Sequence, residues 1–404
     1  HVWQSTGGSD DFEPKFGLVP LIFGTLKASF YSMLFGIPLA LLAAIYTSEF
    51  LDANLRVPIK STVELMAGLP SVVLGFLAAL VIAPFVREVL PATLCSFATV
   101  PLCFLAGAYA WQLVPQRIAL RLHGSQRFAL MFLMLPAGLW LGKLLGPLME
   151  RALFAGDIEA WLDGRRGGAA GGWIFVLLPV SALATAFLMG RLVNPALRRV
   201  SREWGRGRCA RVDVLRFAAG TLVALAMAWS AAHVLAALGL DPRGSLLGTY
   251  DTRNALVVGF VMGFAIVPIL YTLAEDALSA VPEHLRLASL GAGATPWQTA
   301  MRVVVPTAMS GIFSAVMVAL GRAGGETMIV LMATGNTPIL DWNVFSGFRT
   351  LSANIAVELP EAVRGSTHYR VLFLAALTLF AMTFVVNTAA ELVRQRFRRR
   401  AFQL

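Results

Sequence analysis

The stretch "LSAVPEHLRLASLGAGATPWQTAMRVVVP", residues 278–306, lies between two long apolar runs and is written differently from both. Pro282 suits the first position of a short helix, and Gly291 and Gly293 suit its stop. Thr295 then offers a capping hydroxyl, Pro296 takes a first-turn position, and Gln298 stands three residues after the cap, as in a capping box. The pattern predicts helix, glycine turn, helix. Two readings follow from the residues alone: an amphipathic hairpin at a membrane surface, or an element that docks another protein.

The runs on either side say what the hairpin joins. The chain has 404 residues, of which 57% are hydrophobic and only 14% charged, with a mean hydropathy of +0.71. Soluble globular chains carry about a quarter charged residues, so this composition excludes that class. Apolar runs of about 18 residues or more recur, the length a helix needs to span a bilayer. The chain is therefore read as an all-α polytopic membrane protein with nine spans, near 18–49, 61–86, 92–114, 128–149, 173–193, 213–238, 254–277, 304–333 and 369–393.

The net charge of +10, from 33 basic and 23 acidic residues, raises nucleic acid as a partner. Placing the tail "RQRFRRRAFQL" in the cytoplasm puts loops 50–60, 115–127, 191–212 and 278–303 there as well. Together these segments hold about 19 of the 33 basic residues, the positive-inside bias of a membrane protein. The charge is thus topology and lipid headgroup contact, and no aromatic–basic module argues for nucleic acid. The opposite loops, 150–166 and 334–368, mix both signs, and the glycines of 154–172 predict a flexible external connection. Cys95, Cys103 and Cys209 make neither a metal spacing nor a disulfide set. The opening "HVWQSTGGSDDFEPKFG" reads as the middle of something longer, so upstream sequence with at least one more span is expected.

Charges inside the spans are the candidate functional residues. In "VALGRAGGETMIVLMATG", residues 318–335, Arg322 and Glu326 interrupt an apolar segment, and each costs on the order of 2.5–3.5 kcal/mol at a bilayer centre. Arg322 lies about 24 Å along a helix from Pro306, which puts it near mid-membrane. The four-residue spacing would set Glu326 on the same face, one turn on. Gly321, Gly324 and Gly325 weaken the helix around them. The pair reads equally as a polar ligand site or as an intrahelical pair neutralising itself in a bundle. Thr327 adds a hydroxyl that either faces the path or bonds its own backbone. Lys27 is read as an anion attractor or as a side chain snorkelling outward. Glu64 is read as either intramembrane or interfacial, and Glu275 and Asp276 as a solvated span end. His233 and His284 have no ligand-like companions.

The hairpin also resembles the "EAA" loop of ABC-importer permeases, in which a glutamate and two small residues are followed, after three further residues, by a glycine. Nine residues then lead to an I-x-L-P motif. Here Ala288 and Ser289 fill the small positions, and residues 294–302 separate Gly293 from Val303, Val305 and Pro306. Leu287 stands where the pattern has its glutamate. "ASLGAGATPWQTAMRVVVP", "GRAGGETMIVLMATGNTP", "VELMAGLPSVVLGF" and "FGTLKASFYSMLFGIPLALLAAIYTSEF" together resemble the phosphate-specific (Pst) ABC importers, their C-type permease in particular. The tail from Ala353 resembles the long C-type permeases of Gram-negative bacteria. On that resemblance residues 1–16 are the extracytoplasmic end of an upstream region. Segments 17–86 and 250–404 form the permease core of a type I importer, and 87–249 inserts four spans, an even number that keeps the core's orientation.

The resemblance implies a permease subunit of an ATP-driven phosphate importer in the bacterial inner membrane, with a cytoplasmic C-terminus. Its implied partners are a homologous A-type permease, two ATPase subunits, an extracytoplasmic phosphate-binding protein, inorganic phosphate and membrane lipid. Glu283, His284, Ala288, Ser289, Gly293 and Thr295 would face the ATPase, while Arg322, Glu326 and Thr327, then Lys27 and Glu64, would serve the substrate path. No G-x-x-x-x-G-K-[ST] stretch occurs, so the chain is expected to be no enzyme and to bind no cofactor, with ATP and magnesium on the partner ATPase. The rival readings are a permease for another oxyanion, an ion-driven secondary transporter, and a membrane scaffold for a sensor kinase.

Overall fold

The computed structural model describes residues 2–5, 13–115, 130–201, 204–244 and 247–401. Most of the expected loop 115–127 lies outside the described residues. The chain divides into two units, His1–Phe85 with Asp251–Leu404, and Val86–Tyr250. Among the described residues nine helices are long and apolar enough to cross a membrane, so the protein is an all-α polytopic membrane protein.

The first unit opens with a short antiparallel pair, β1 (Trp3–Gln4) and β2 (Lys15–Phe16), in which Trp3 faces Phe16. Helices α1 (Val19–Glu49), α2 (Ala53–Ala67) and α3 (Ser71–Glu88) follow. The second unit holds α4 (Leu90–Leu113), α5 (Met134–Leu153), the short α6 (Ile158–Leu162), α7 (Ala170–Val193), α8 (Asn194–Val200) and α9 (Arg206–Ala237). The chain then completes the first unit with α10 (Ala255–Ser279), α11 (Glu283–Gly291) and α12 (Pro296–Gly325). Next come α13 (Met328–Ala333), α14 (Leu351–Glu358) and α15 (Thr367–Ala401).

Helix α10 is the axis of the first unit. It buries Val258, Val261, Met262, Ile266, Leu270, Tyr271, Ala274 and Leu278 in one cluster with Ala28, Ala40 and Ala44 of α1. Small residues let the two backbones approach. A Cβ at Gly263 would stand 2.9 Å from the Ser32 carbonyl oxygen, and one at Gly259 would stand 2.8 Å from the Tyr31 Cβ. Bilayer helices associate through such van der Waals approach, because burial against lipid-like side chains supplies no hydrophobic gain.

Three expectations are corrected. The span placed at 61–86 is two helices, because Gly68, Leu69 and Pro70 end α2 before α3 begins at Ser71. Proline disfavours helix at the residue before it, and Leu69 is that residue. The span placed at 304–333 begins earlier, at Pro296, and breaks after Gly325. The segment 154–172 is more than a bare connection: Asp157 caps α6, and Trp161 is buried against Phe154 with its indole N–H donating to the Gly168 carbonyl at 2.9 Å.

Candidate functional site

The hairpin at 281–306 forms as its local chemistry dictates. Pro282 is the N-cap of α11, one position earlier than the sequence suggests, and Gly293 adopts φ +87°, a backbone state costly for other residues. The Gln298 amide N–H donates to the Thr295 hydroxyl at 3.2 Å, and the Thr295 amide donates to the Gln298 side-chain oxygen at 2.9 Å, a complete capping box. From Pro296 the helix continues through a π-helical turn at Ala300–Val304 into the apolar part of α12. The second arm of the hairpin and the membrane helix are thus one thirty-residue rod.

The two faces of α11 differ. Glu283, His284, Leu287, Ala288 and Gly291 are exposed, whereas Leu285, Arg286 and Ser289 turn toward the protein. Ser289 braces the hairpin internally, its hydroxyl 2.9 Å from that of the buried Thr299. Of the six residues expected to face a partner, Glu283, His284, Ala288, Gly293 and Thr295 are exposed and Ser289 is half-buried. Leu287 and Trp297 are 60% and 58% exposed, so the outer surface of the hairpin is apolar as well as charged.

At the far end of the same rod lies the polar break. Arg322 is exposed in the last turn of α12. Glu326 is not one helical turn further on the same face: the helix stops at Gly325, and Glu326 is the extended C-cap with φ −65° and ψ 126°. No ion pair joins the two among the described residues. The helix ends on Gly324 and Gly325, which weaken it, and beyond the stop the Ser352 hydroxyl donates to the Glu326 carbonyl at 3.0 Å. Thr327 occupies the N-cap position of α13 without a side-chain capping bond, and its hydroxyl donates back to the Gly325 carbonyl at 3.2 Å. Glu326 and Thr327 are half-buried.

Lys27 does not snorkel outward. It is fully buried, donates to the Ser346 hydroxyl at 2.8 Å and lies 5.8 Å from the Phe348 ring centroid. Glu64 is exposed on α2, outside the membrane-length helix α3. Glu275 is no solvated edge. It is buried at 3% exposure and paired with Lys60 of α2 at 2.7 Å, while Asp276 takes the same ammonium at 2.8 Å. These hydrogen bonds, to Asp276 and then to Glu275, hold Lys60 well above the usual lysine range.

The sequence reading passed over several polar groups near the break. Thr350 caps α14, and the Leu351 amide N–H donates to the Thr25 hydroxyl at 3.1 Å. Asn354, on α14, is fully buried, and neither atom of its amide has a hydrogen-bond partner among the described residues. Glu358, at the end of α14, accepts from the Trp3 indole at 2.9 Å and Ser5 at 3.0 Å. It also pairs with Arg349 at 2.9 Å and His368 at 2.7 Å. Burial pushes the Arg349 guanidinium down, against the opposing charge of Glu358. The cap at Thr350 was the one local signal for this region; the other contacts join residues remote in sequence.

Comparison with known proteins shows what these features are similar to. Residues 222–400 match the family model described as a binding-protein-dependent transport system inner membrane component. The match takes in the hairpin, Arg322 and Glu326. The phosphate transport system permease protein PstC of Mesorhizobium japonicum is 36% identical over 141 residues, 35% of this chain and 43% of that protein. PstC of Haemophilus influenzae is 34% identical over 135 residues, 33% of this chain and 42% of its own. Phosphate transport system permease protein PstA 1 of Mycobacterium tuberculosis is 28% identical over 266 residues, 64% of this chain and 75% of that protein. The chain thus spans less than half the length of the PstC relatives it matches. No solved structure matches. Residues 222–400 thus carry a match to the binding-protein-dependent transport system inner membrane components, and with the nine spans and the hairpin in place the chain is similar to phosphate transport permeases.

Proposed function

We propose that this chain is a permease subunit of an ATP-driven inorganic phosphate importer of the bacterial inner membrane, with its C-terminus and hairpin in the cytoplasm. One observation carries the reading: α12 is a single rod with the hairpin at one end and the Arg322–Glu326 break at the other. Force applied to the hairpin by a separate ATPase reaches the polar break without an intervening loop. Two ATPase subunits, a homologous A-type permease and an extracytoplasmic phosphate-binding protein complete the assembly, with ATP and magnesium held by the ATPase. The exposed face of α11 and the exposed Leu287 and Trp297 suit the ATPase contact. The apolar Leu287 in place of the family's glutamate makes that contact less polar.

Exposure of Arg322 supports a second permease. A guanidinium facing lipid at a span centre costs about 2.5–3.5 kcal/mol, and a homologous subunit covering this face removes that cost and encloses the path. Phosphate near neutral pH carries one or two negative charges and an acidic hydrogen. Arg322 supplies planar bidentate donors that never lose their proton. Glu326, unpaired with Arg322, is free to accept the phosphate O–H, a hydrogen that sulfate lacks near neutral pH, and sites built on such a bond discriminate strongly.

The test is radiolabelled phosphate uptake by vesicles holding the assembled complex and its binding protein, with sulfate as competitor. ATP-dependent uptake that resists sulfate and is lost in Arg322→Gln is expected. Uptake unchanged by that substitution would make the arginine structural, and sulfate transport in its place would leave only an oxyanion permease.

A further inference from the structure

The reading above leaves open how the rest of the first unit learns that the hairpin has moved, and Arg286 supplies a route. It lies on the inward face of α11, yet all its acceptors belong to other segments. Nη1 donates to the Val281 carbonyl at 2.7 Å, and Nη2 donates to the Leu278 carbonyl at 2.8 Å and to Glu49 at 3.0 Å. Leu278 lies in the last turn of α10 and Glu49 is the last residue of α1. Helix C-termini leave carbonyls without intrahelical partners and carry partial negative charge, so a cation there is held by both effects. One guanidinium on the hairpin therefore holds the ends of two membrane helices. Glu49 is 9% exposed and Arg286 22%, which shields the pair from solvent screening.

Neighbouring contacts point the same way. Trp297, on the second arm, lies 6.1 Å from the ring of Phe50, the C-cap of α1, and the Arg56 guanidinium of α2 donates to the Ser48 carbonyl at 2.6 Å. A cavity of about 620 Å³ opens beside the pair, lined by Glu49, Arg56, Pro282, Arg286 and Thr299 among others, so the hairpin has room to shift.

The far end of α1 reaches the polar break. Its Thr25 hydroxyl accepts from the Leu351 amide, and Lys27 donates to Ser346. From the adjoining turn of α14, Ser352 holds the Glu326 carbonyl. We propose that α1 is a second strut beside α12: Arg286 and Glu49 pass displacement of the hairpin to α1, and Thr25 passes it through the start of α14 to the backbone at Glu326. Two parallel struts of unlike connection would turn one motion of the hairpin into opening of the break between α12 and α13. Arg286 and Glu49 are positioning residues in this scheme and touch no substrate.

This inference rests on the permease reading, and its test separates the two. In vesicles with the complete complex and binding protein, ATP hydrolysis and phosphate uptake are measured together for wild type, Glu49→Gln, Arg286→Gln and the double variant. Glu49→Gln keeps both carbonyl bonds of Arg286, so it decides the matter even if Arg286→Gln fails to assemble. The expected result is hydrolysis within about twofold of wild type and phosphate moved per ATP reduced about tenfold in either single variant. The double variant should be no worse than Arg286→Gln alone, because the two act as one unit. Hydrolysis and uptake falling in parallel, or an unchanged ratio, would overturn the strut while leaving the permease standing. Absence of ATP-driven uptake in the wild type would overturn both.

Discussion

The two units of this chain are both bundles of membrane-length helices, but they spend their interiors differently. The first unit has a buried axis, with the apolar window of α10 61% buried and that of α1 39%, surrounded by α3 and α12 at 28% and α15 at 11%, whereas the spans of the second unit all lie at 17–22% and none is central. The buried polar residues follow the same division. The first unit encloses Lys27, Asn254, Glu275, Asn343, Asn354 and Glu358, while among the described residues the second buries only the hydroxyls of Thr99, Ser181 and Thr185. Polar groups inside a membrane protein are expensive and are kept where they carry an ion, a substrate or a moving joint. The second unit instead shows what packing alone looks like. Gly138, Gly142 and Gly146 recur every fourth residue along α5, and a Cβ at Gly138 or Gly146 would come within 2.7 Å of the α4 backbone.

The largest effect should come from breaking the polar interior of the first unit. Glu358 collects four donors, of which Arg349 forms an ion pair with it and His368 lies at 2.7 Å. Glu358→Ala leaves the 13%-exposed Arg349 without its counter-charge, and uncompensated buried charges cost about 3–5 kcal/mol. Thermal unfolding of the purified protein in detergent should drop accordingly, with the β1–β2 pair released to proteolysis because Trp3 and Ser5 lose their acceptor. A loss confined to β1 and β2, without a fall in unfolding temperature, would show that the cluster holds only the terminus.

A smaller effect is expected at the glycine ladder of the second unit. Gly142→Leu would press its side chain into Ser96 of α4, and overpacking of this kind costs about 1–3 kcal/mol. The amount of assembled complex should fall, while phosphate moved per ATP in what survives stays at the wild-type value. A changed ratio would break the comparison, since it would give the second unit a part in coupling.

What could be read from the residues, and what could not, follows the same line between local and remote contacts. The capping box at Thr295 and the left-handed turn at Gly293 are decided within five residues, and both were legible. The break at Gly68-Leu69-Pro70 was equally local, but the apolar run across it outweighed the proline in the reading. Glu326 is the opposite case. Its four-residue spacing from Arg322 is a true helical signal, and it fails because the helix stops at Gly325, where Ser352, 26 residues away, then meets the Glu326 carbonyl. Glu275 likewise looked solvated because its partner Lys60 lies 215 residues earlier. Helix existence is written in composition, whereas the state of a charge depends on a partner that spacing does not identify.

The smallest effect sharpens the comparison from the side of the second unit. There each described charge pair keeps at least one partner about 30% exposed or more, and Asp241 with Arg243 is the shortest, at 2.7 Å. The side-chain hydrogen bond from Arg243 holds the Asp241 carboxyl below its ordinary range. A depressed carboxyl contributes stability above its unfolded value of 3.8 and loses it as pH falls through the folded one, so neutral pH keeps the whole contribution. Asp241 is 39% exposed, and solvent screening limits such a pair to well under about 1 kcal/mol. Asp241→Asn should therefore lower the unfolding temperature slightly at pH 7, and the difference from wild type should shrink as pH falls through the folded value of the carboxyl. A large drop at pH 7 would mean that the second unit depends on polar contacts as the first does.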